Sequence, residues 1–223
     1  MSWAGRARAT GAALLVAALG VACRTARPGF SPVSVEAAAA AQERLSEACR
    51  KVWTPRRFKV LYAIEVSPVV GAVQRGFLTL FWDGRRLLWR TSLPMAGQVG
   101  EGVLERGATS PGGLASALSS RLNDSDALSV LLGAPECPTA TPAVEGDRSS
   151  YRLLLEGEGR DVVLGPSGRV TGMGFPGGVE VRLWPGGEVP TRIEVKSRKG
   201  RALLKLEAAG DWPAQEPAPF GGG

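Results

Sequence analysis

Three thiols hold most of the chemistry this sequence offers, and their positions separate two kinds of it. Cys23 closes the stretch MSWAGRARATGAALLVAALGVAC, a basic start, a short apolar run and a small-residue approach. That is the layout of a secretory signal, so residues 1–22 are expected to be removed. A Cys directly after the small residues suggests more than export. Cys49 and Cys137 are then left as a pair in an oxidising compartment. Two outcomes stay open: a disulfide clipping the first helix to the segment after the third helical stretch, or two free buried thiols. The chain has no His, which removes the commonest general base and metal ligand and disfavours Ser-His-Asp, Cys-His and zinc hydrolase chemistry together. Carboxylates, Lys, Tyr or Ser-Lys remain, and no spacing singles any of them out. The expectation is a protein that is not an enzyme, with no catalytic residue, metal or cofactor.

The elements that must position anything else follow from periodicity. Val35 to Trp53 is rich in Ala, Glu, Gln and Leu, with Ala41, Leu45, Ala48, Cys49 and Val52 at helical spacing. From Phe58 the period becomes two: Phe58, Val60, Tyr62, Ile64 and Val66 share one strand face, while Arg57, Lys59 and Glu65 fall on the other. GFLTLFW presents Leu78, Leu80 and Trp82; Asp83-Gly84 is a hairpin turn; RRLLWRTSL presents Leu87, Trp89 and Leu93; VGEGVLERG is a fourth strand. Two short leucine-striped helices then interrupt the sheet, the second carrying Leu128, Leu131 and Leu132 and stopping at Gly133-Ala134-Pro135. After a polar, Pro-containing loop, strands resume at YRLLLEG, RDVVLG, RVTGMGF, VEVRLW, TRIEVKS and ALLKLEA. About ten strands and about three helices predict an α+β fold whose antiparallel sheet is large enough to curl, with the helices over an opening or a face.

A net charge of +6 overstates the basicity of the mature chain, because Arg6 and Arg8 lie in the signal. Arg50, Lys51, Arg56, Arg57 and Lys59 form a local basic cluster without the interleaved aromatics of a nucleic-acid module. No nucleic-acid partner is expected; the cluster fits a solvated face or contact with anionic headgroups.

Two resemblances extend this reading. The approach to Cys23 resembles the lipobox of bacterial lipoproteins, with Gly20 where that pattern favours Leu; it implies that Cys23 is acylated, for example with palmitate, and anchors the chain. Arg24, rather than Asp, implies outer-membrane sorting. FLTLFWDGRRLLWRTSLPMAG, LSVLLGAP and the closing ALLKLEAAGDW, in this order, resemble the LolB/LolA family of outer-membrane lipoprotein receptors and periplasmic carriers. The resemblance implies a strongly curved, incomplete barrel closed by helices around an apolar cavity, which needs no catalysis because acyl binding is driven by burial of CH₂ groups.

On that resemblance the cavity wall is Phe58, Val60, Tyr62, Ile64, Leu78, Leu80, Trp82, Leu87 and Trp89, with Leu128, Leu131 and Leu132 on the lid; ordinary core packing is the alternative for each. Pro94, Met95 and Gly97 would form the transfer loop, Met95 either touching acyl chains and bilayer or folding back on the sheet edge. The implied organisation is signal 1–22, lipidated Cys and flexible tether 23–34, half-barrel domain 35–213 and disordered tail 214–223. The implied function is that of a monomeric, periplasm-facing outer-membrane lipoprotein. It would accept lipoproteins from a LolA-like carrier, docking in one hypothesis through Arg56 and Arg57, and insert them in the membrane. An envelope scaffold without ligand, or a lipid or glycolipid sensor, are the other readings.

Overall fold

The computed structural model describes residues 29–53, 56–93, 100–107, 113–155 and 159–213. From Ser31 onward the chain forms one sheet of twelve strands and, among the described residues, three helices. Helix α1 (Val35–Val52) begins where Ser34 Oγ accepts from the amide of Ala37 at 3.3 Å, and it buries Ala41, Leu45 and Cys49 along one stripe. The strands are β1 (Ser31–Pro32), β2 (Phe58–Pro68), β3 (Gln74–Trp82), β4 (Arg86–Thr91), β5 (Glu101–Glu105), β6 (Ala143–Asp147), β7 (Ser150–Leu155), β8 (Arg160–Leu164), β9 (Val170–Phe175), β10 (Val179–Trp184), β11 (Arg192–Ser197) and β12 (Gly200–Asp211). Helices α2 (Gly113–Leu118) and α3 (Asp124–Leu132) lie between β5 and β6.

Every neighbouring pair of strands is antiparallel, in the order β1-β6-β7-β8-β9-β10-β11-β12-β2-β3-β4-β5. The return of long β12 alongside β2 joins the two meanders, from Gly200↔Pro68 to Asp211↔Phe58, with one irregularity between Leu206 and Ala208. The sheet does not close, since β1 and β5 remain its edges. Its curl follows from what α3 touches. Asp126 on α3 pairs with Arg160 on β8, and the same helix packs on β5. Eight strand spacings, roughly 38 Å if flat, cannot both meet a nine-residue helix about 13.5 Å long. The sheet therefore wraps around its helices as an incomplete barrel.

Alternation decides which face turns inward. Phe58, Val60, Tyr62 and Ile64 on β2, Leu78, Leu80 and Trp82 on β3, and Val179, Val181 and Leu183 on β10 are buried, with partly or fully exposed residues between them along most of each strand. A smaller cluster, Phe81, Leu88 and Trp212, packs on the outer face, where Phe81 and Trp212 meet edge to face at 5.5 Å. The hairpin turn forms one residue later than the sequence reading places it: Trp82 pairs with Leu87 and the Asp83 amide donates to the Arg86 carbonyl at 3.1 Å, so Gly84 and Arg85 are its central residues. Asp83 Oδ1 accepts from the amides of Arg85 and Arg86 at the turn, and Gly84 takes φ 94°.

Two strands exceed the ten read from sequence. Ser31–Pro32, in the stretch expected to be tether, pairs with β6, and β6 itself occupies part of the expected polar loop. Their composition hid them: β1 holds a Pro, which sheets tolerate at an edge, and β6 contains Glu145, Gly146 and Asp147. Gly146 fits because a Cβ there would lie 2.5 Å from Val33 Cγ1.

Candidate functional site

The nine residues assigned to the wall and the three assigned to the lid converge in one contiguous core and expose at most 2% of their surface. The concave face is thus filled, in this conformation, by the side chains of its own cover. Leu45 and Cys49 of α1, Leu114 and Leu118 of α2, and Leu128, Leu131 and Leu132 of α3 all join that core. The short α3 is held at both ends. Asn123 Oδ1 accepts from the amide of Asp126 at 2.8 Å, Asp126 Oδ2 accepts from the amide of Asn123 at 3.4 Å, and Gly133 closes the helix at φ 83°. A Cβ at Gly133 would come 2.7 Å from Pro190 Cγ, so that glycine also lets the loop before β11 seat against the helix end.

Polar ties hold the helices and the segment that follows them. Arg160 Nη2 reaches Asp126 Oδ1 at 2.8 Å, with Asp126 nearly buried and Arg160 about a quarter exposed. Trp53 Nε1 donates to the carbonyls of Ala134 (3.3 Å) and Pro135 (2.8 Å), Arg106 pairs with Glu136 at 2.6 Å, and Gln42 donates to the carbonyl of Pro142 at 3.1 Å. The segment 134–142 is thereby strapped along α1. Tyr62 donates to the carbonyl of Pro190 at 2.8 Å, and burial pushes its phenol well above the ordinary range. Trp82 meets Trp53 edge to face at 5.9 Å, and its Nε1–H is buried with no hydrogen-bond acceptor. An orphaned buried donor is unfavourable by about 1–3 kcal/mol.

Openings lined by described residues lie beside the helices and on the outside. One of about 230 Å³ sits between α3, the strap and strands β8 and β9, lined by Ser129, Cys137, Arg160, Met173 and Phe175 among others. A smaller one of about 80 Å³ lies between the end of α1 and the 185–190 loop, reaching Leu132. A third, of about 340 Å³, is a groove on the outer face lined by Ala63, Ile64, Phe77 and Leu203 with Glu65, Arg75 and Lys205.

The other candidate residues fare differently. Cys49 is buried and Cys137 exposed, both as free thiols. Burial first, and then the neighbouring Cys137, pushes the Cys49 thiol far up. The exposed Cys137 departs from the buried thiol expected as the alternative to a disulfide. Of the basic cluster, Arg56 is turned to Glu188 at 2.6 Å and Arg57 to the ring of Trp212 at 3.9 Å, so both make contacts within the chain. Cys23, Pro94, Met95 and Gly97 lie outside the described residues. The sequence reading missed the buried contributions of the C-terminal strands, among them Leu164, Met173, Val181, Ile193 and Leu204, although their alternation signalled them. It also missed the Arg160–Asp126 tie, which joins residues 34 positions apart and leaves no local signal.

No protein-family model and no curated protein matches the sequence. Among solved structures, a LolA superfamily protein from Nitrosomonas europaea superposes with a TM-score of 0.51 at 16% identity, over 78% of this chain and 94% of that one. A DUF1329 family protein from Desulfovibrio piger gives a TM-score of 0.36 at 11% identity, over 83% and 95% of the two chains. A Vibrio parahaemolyticus domain, provisionally described as an outer membrane lipoprotein-sorting protein, gives 0.42 at 8% identity, over 80% and 95%. The first of these likenesses shows a LolA-like fold.

Proposed function

We propose that this LolA-like shell binds the acyl chains of lipoproteins by exchanging its own helical cover for them. The observation that carries the reading is the inner face itself, apolar across β2, β3 and β4 and roofed by leucine-faced helices, of which α3 is tied to β8 by the partly exposed Arg160–Asp126 pair. The energetics suit exchange. A palmitoyl chain gains about 11 kcal/mol on burial at about 0.8 kcal/mol per CH₂. The large side chains of α2 and α3 that would have to leave the shell, Leu114, Leu118, Leu128, Val130, Leu131 and Leu132, give up about 12 kcal/mol at roughly 2 kcal/mol each. Two such similar terms make loading reversible, as a transfer protein requires. The unpartnered Nε1–H of Trp82 supplies a donor that an acyl ester carbonyl would satisfy.

In this reading Cys23 is the lipid anchor and the chain stands on the outer membrane facing the periplasm. It receives cargo from a LolA-like carrier, releases it into the bilayer with Met95 in the transfer loop, and works as a chaperone of acyl chains without catalysis. The filled interior favours a second reading, an envelope scaffold on the same sheet that holds no ligand. One experiment separates them. A fluorescent fatty acid is titrated into the chain carrying Cys23→Ala and competed with a triacylated lipopeptide. Saturable, competed binding supports acyl transfer; absence of binding supports the scaffold.

A further inference from the structure

At one end of the sheet the chain carries an exposed apolar hairpin tip that the fold does not use. Between β2 and β3 the sequence Pro68-Val69-Val70-Gly71-Ala72-Val73 contains no polar side chain. Val69 is 71% exposed, Val70 89% and Val73 52%, and Phe77 below them is half exposed. The adjoining tip, between β11 and β12, is basic: Arg198 and Lys199 are exposed, and the two tips are joined by a hydrogen bond from the amide of Val69 to the carbonyl of Lys199 at 3.0 Å. The register Pro68↔Gly200 fixes them side by side.

Charge around the pair is strongly one-sided. Arg75, Lys196, Arg198, Lys199, Arg201 and Lys205 face Glu65, Glu194 and, across from Lys196, Glu180. Glu65 is taken by Arg75, which holds its carboxyl below the usual range, and Glu194 is shared by Lys196 and Arg201. Arg198 and Lys199 have no carboxylate partner among the described residues.

We propose that these two tips form a docking surface for an anionic phospholipid bilayer, with Val69, Val70 and Val73 at the boundary between headgroups and acyl chains and Arg198 and Lys199 at the phosphates. Small apolar side chains on a projecting turn can enter that boundary without burying a polar side chain. Basic residues beside them select anionic lipid, each strengthening partitioning roughly fivefold. The core of a protein interface is depleted of charged residues, whereas here Arg198 and Lys199 stand directly beside the apolar tip. The proposal does not rest on acyl binding, because it concerns the outside of the shell and needs no cargo.

The test is vesicle sedimentation of the full chain carrying Cys23→Ala, on phosphatidylcholine alone and on phosphatidylcholine with a minority of phosphatidylglycerol. The segment before Cys23 is common to all variants and cancels in their ratio. Val69→Ser/Val70→Ser is expected to lower partitioning on the mixed vesicles by about tenfold. Arg198→Glu/Lys199→Glu is expected to lose most of the preference for phosphatidylglycerol, a factor of at least about 25 for two charges. Val35→Ser, at another exposed apolar residue, should change neither. All the altered side chains are exposed, so melting temperatures should stay together. Parent-like sedimentation of both double variants overturns the proposal. So does a change in oligomeric state of the valine variant with unchanged partitioning, which would assign the tip to a second copy of this chain.

Discussion

Replacing Arg160 with Met removes the tie to Asp126 while keeping an apolar stem of similar reach. The pair spans 2.8 Å, with Asp126 at 7% and Arg160 at 27% side-chain exposure. Breaking a fully buried pair costs about 3–5 kcal/mol, and an exposed one contributes about 0.2–1 kcal/mol. Water reaches the guanidinium here, so the loss should be about 1–2 kcal/mol. Two consequences can be read separately. The melting temperature should fall by roughly 2–8 °C, from about 2–4 °C per kcal/mol for a domain of this size. If the tie exists only while α3 covers the shell, the ratio of open to closed molecules rises about 5- to 30-fold. While the open form is the minor one, the apparent Kd for a fluorescent fatty acid should fall by the same factor. Arg75→Met, which breaks the exposed outer pair with Glu65, is the control and should leave the affinity alone. Arg160→Met that melts lower and yet binds acyl probe no better would refute the idea that α3 gates the interior. Arg160 is the better partner to change, because Asp126 also closes the cap of α3.

Further expectations concern the shell and its strap. Tyr62→Phe removes the bond to the buried Pro190 carbonyl and should cost about 1–3 kcal/mol in urea unfolding; an unchanged midpoint would mean the hydroxyl is dispensable. Gly133→Ala places a Cβ against the Pro190 ring at φ 83° and should destabilise by about 1–3 kcal/mol, measured the same way. Cys137 should react with iodoacetamide in the folded chain while Cys49 reacts only on unfolding, since the thiolate is the nucleophile and burial holds the Cys49 thiol protonated; mass spectrometry over time distinguishes the two.

The strands legible in the sequence were those with clean alternation. Phe58 to Ile64 and Leu78 to Trp82 declare their inward face in the sequence because a period of two leaves no other arrangement once one face is buried. Helix α3 was legible for the same kind of reason, with a capping residue before it and Gly133 after it. Strands β1 and β6 were not, because Pro32, Glu145 and Gly146 are residues that strands disfavour and only the neighbouring chain makes them pair. The nine candidate wall residues and three lid residues come together because a wall and a core demand the same side chains. That identity is also why the sequence left open whether the space they enclose is vacant; helix packing decides it, and the pairs that hold the helices, Arg160 with Asp126 and Trp53 with the strap, are distant in sequence.

The most direct test uses a lipopeptide whose acyl chain bears a diazirine, photolysed in complex with the chain carrying Cys23→Ala and mapped by mass spectrometry. Acyl exchange predicts adducts on inward residues of β2, β3 and β4 and on α3, between Tyr62 and Leu132. Adducts confined to the outer groove at Phe77 and Leu203, or none that a non-photoreactive lipopeptide suppresses, would contradict it.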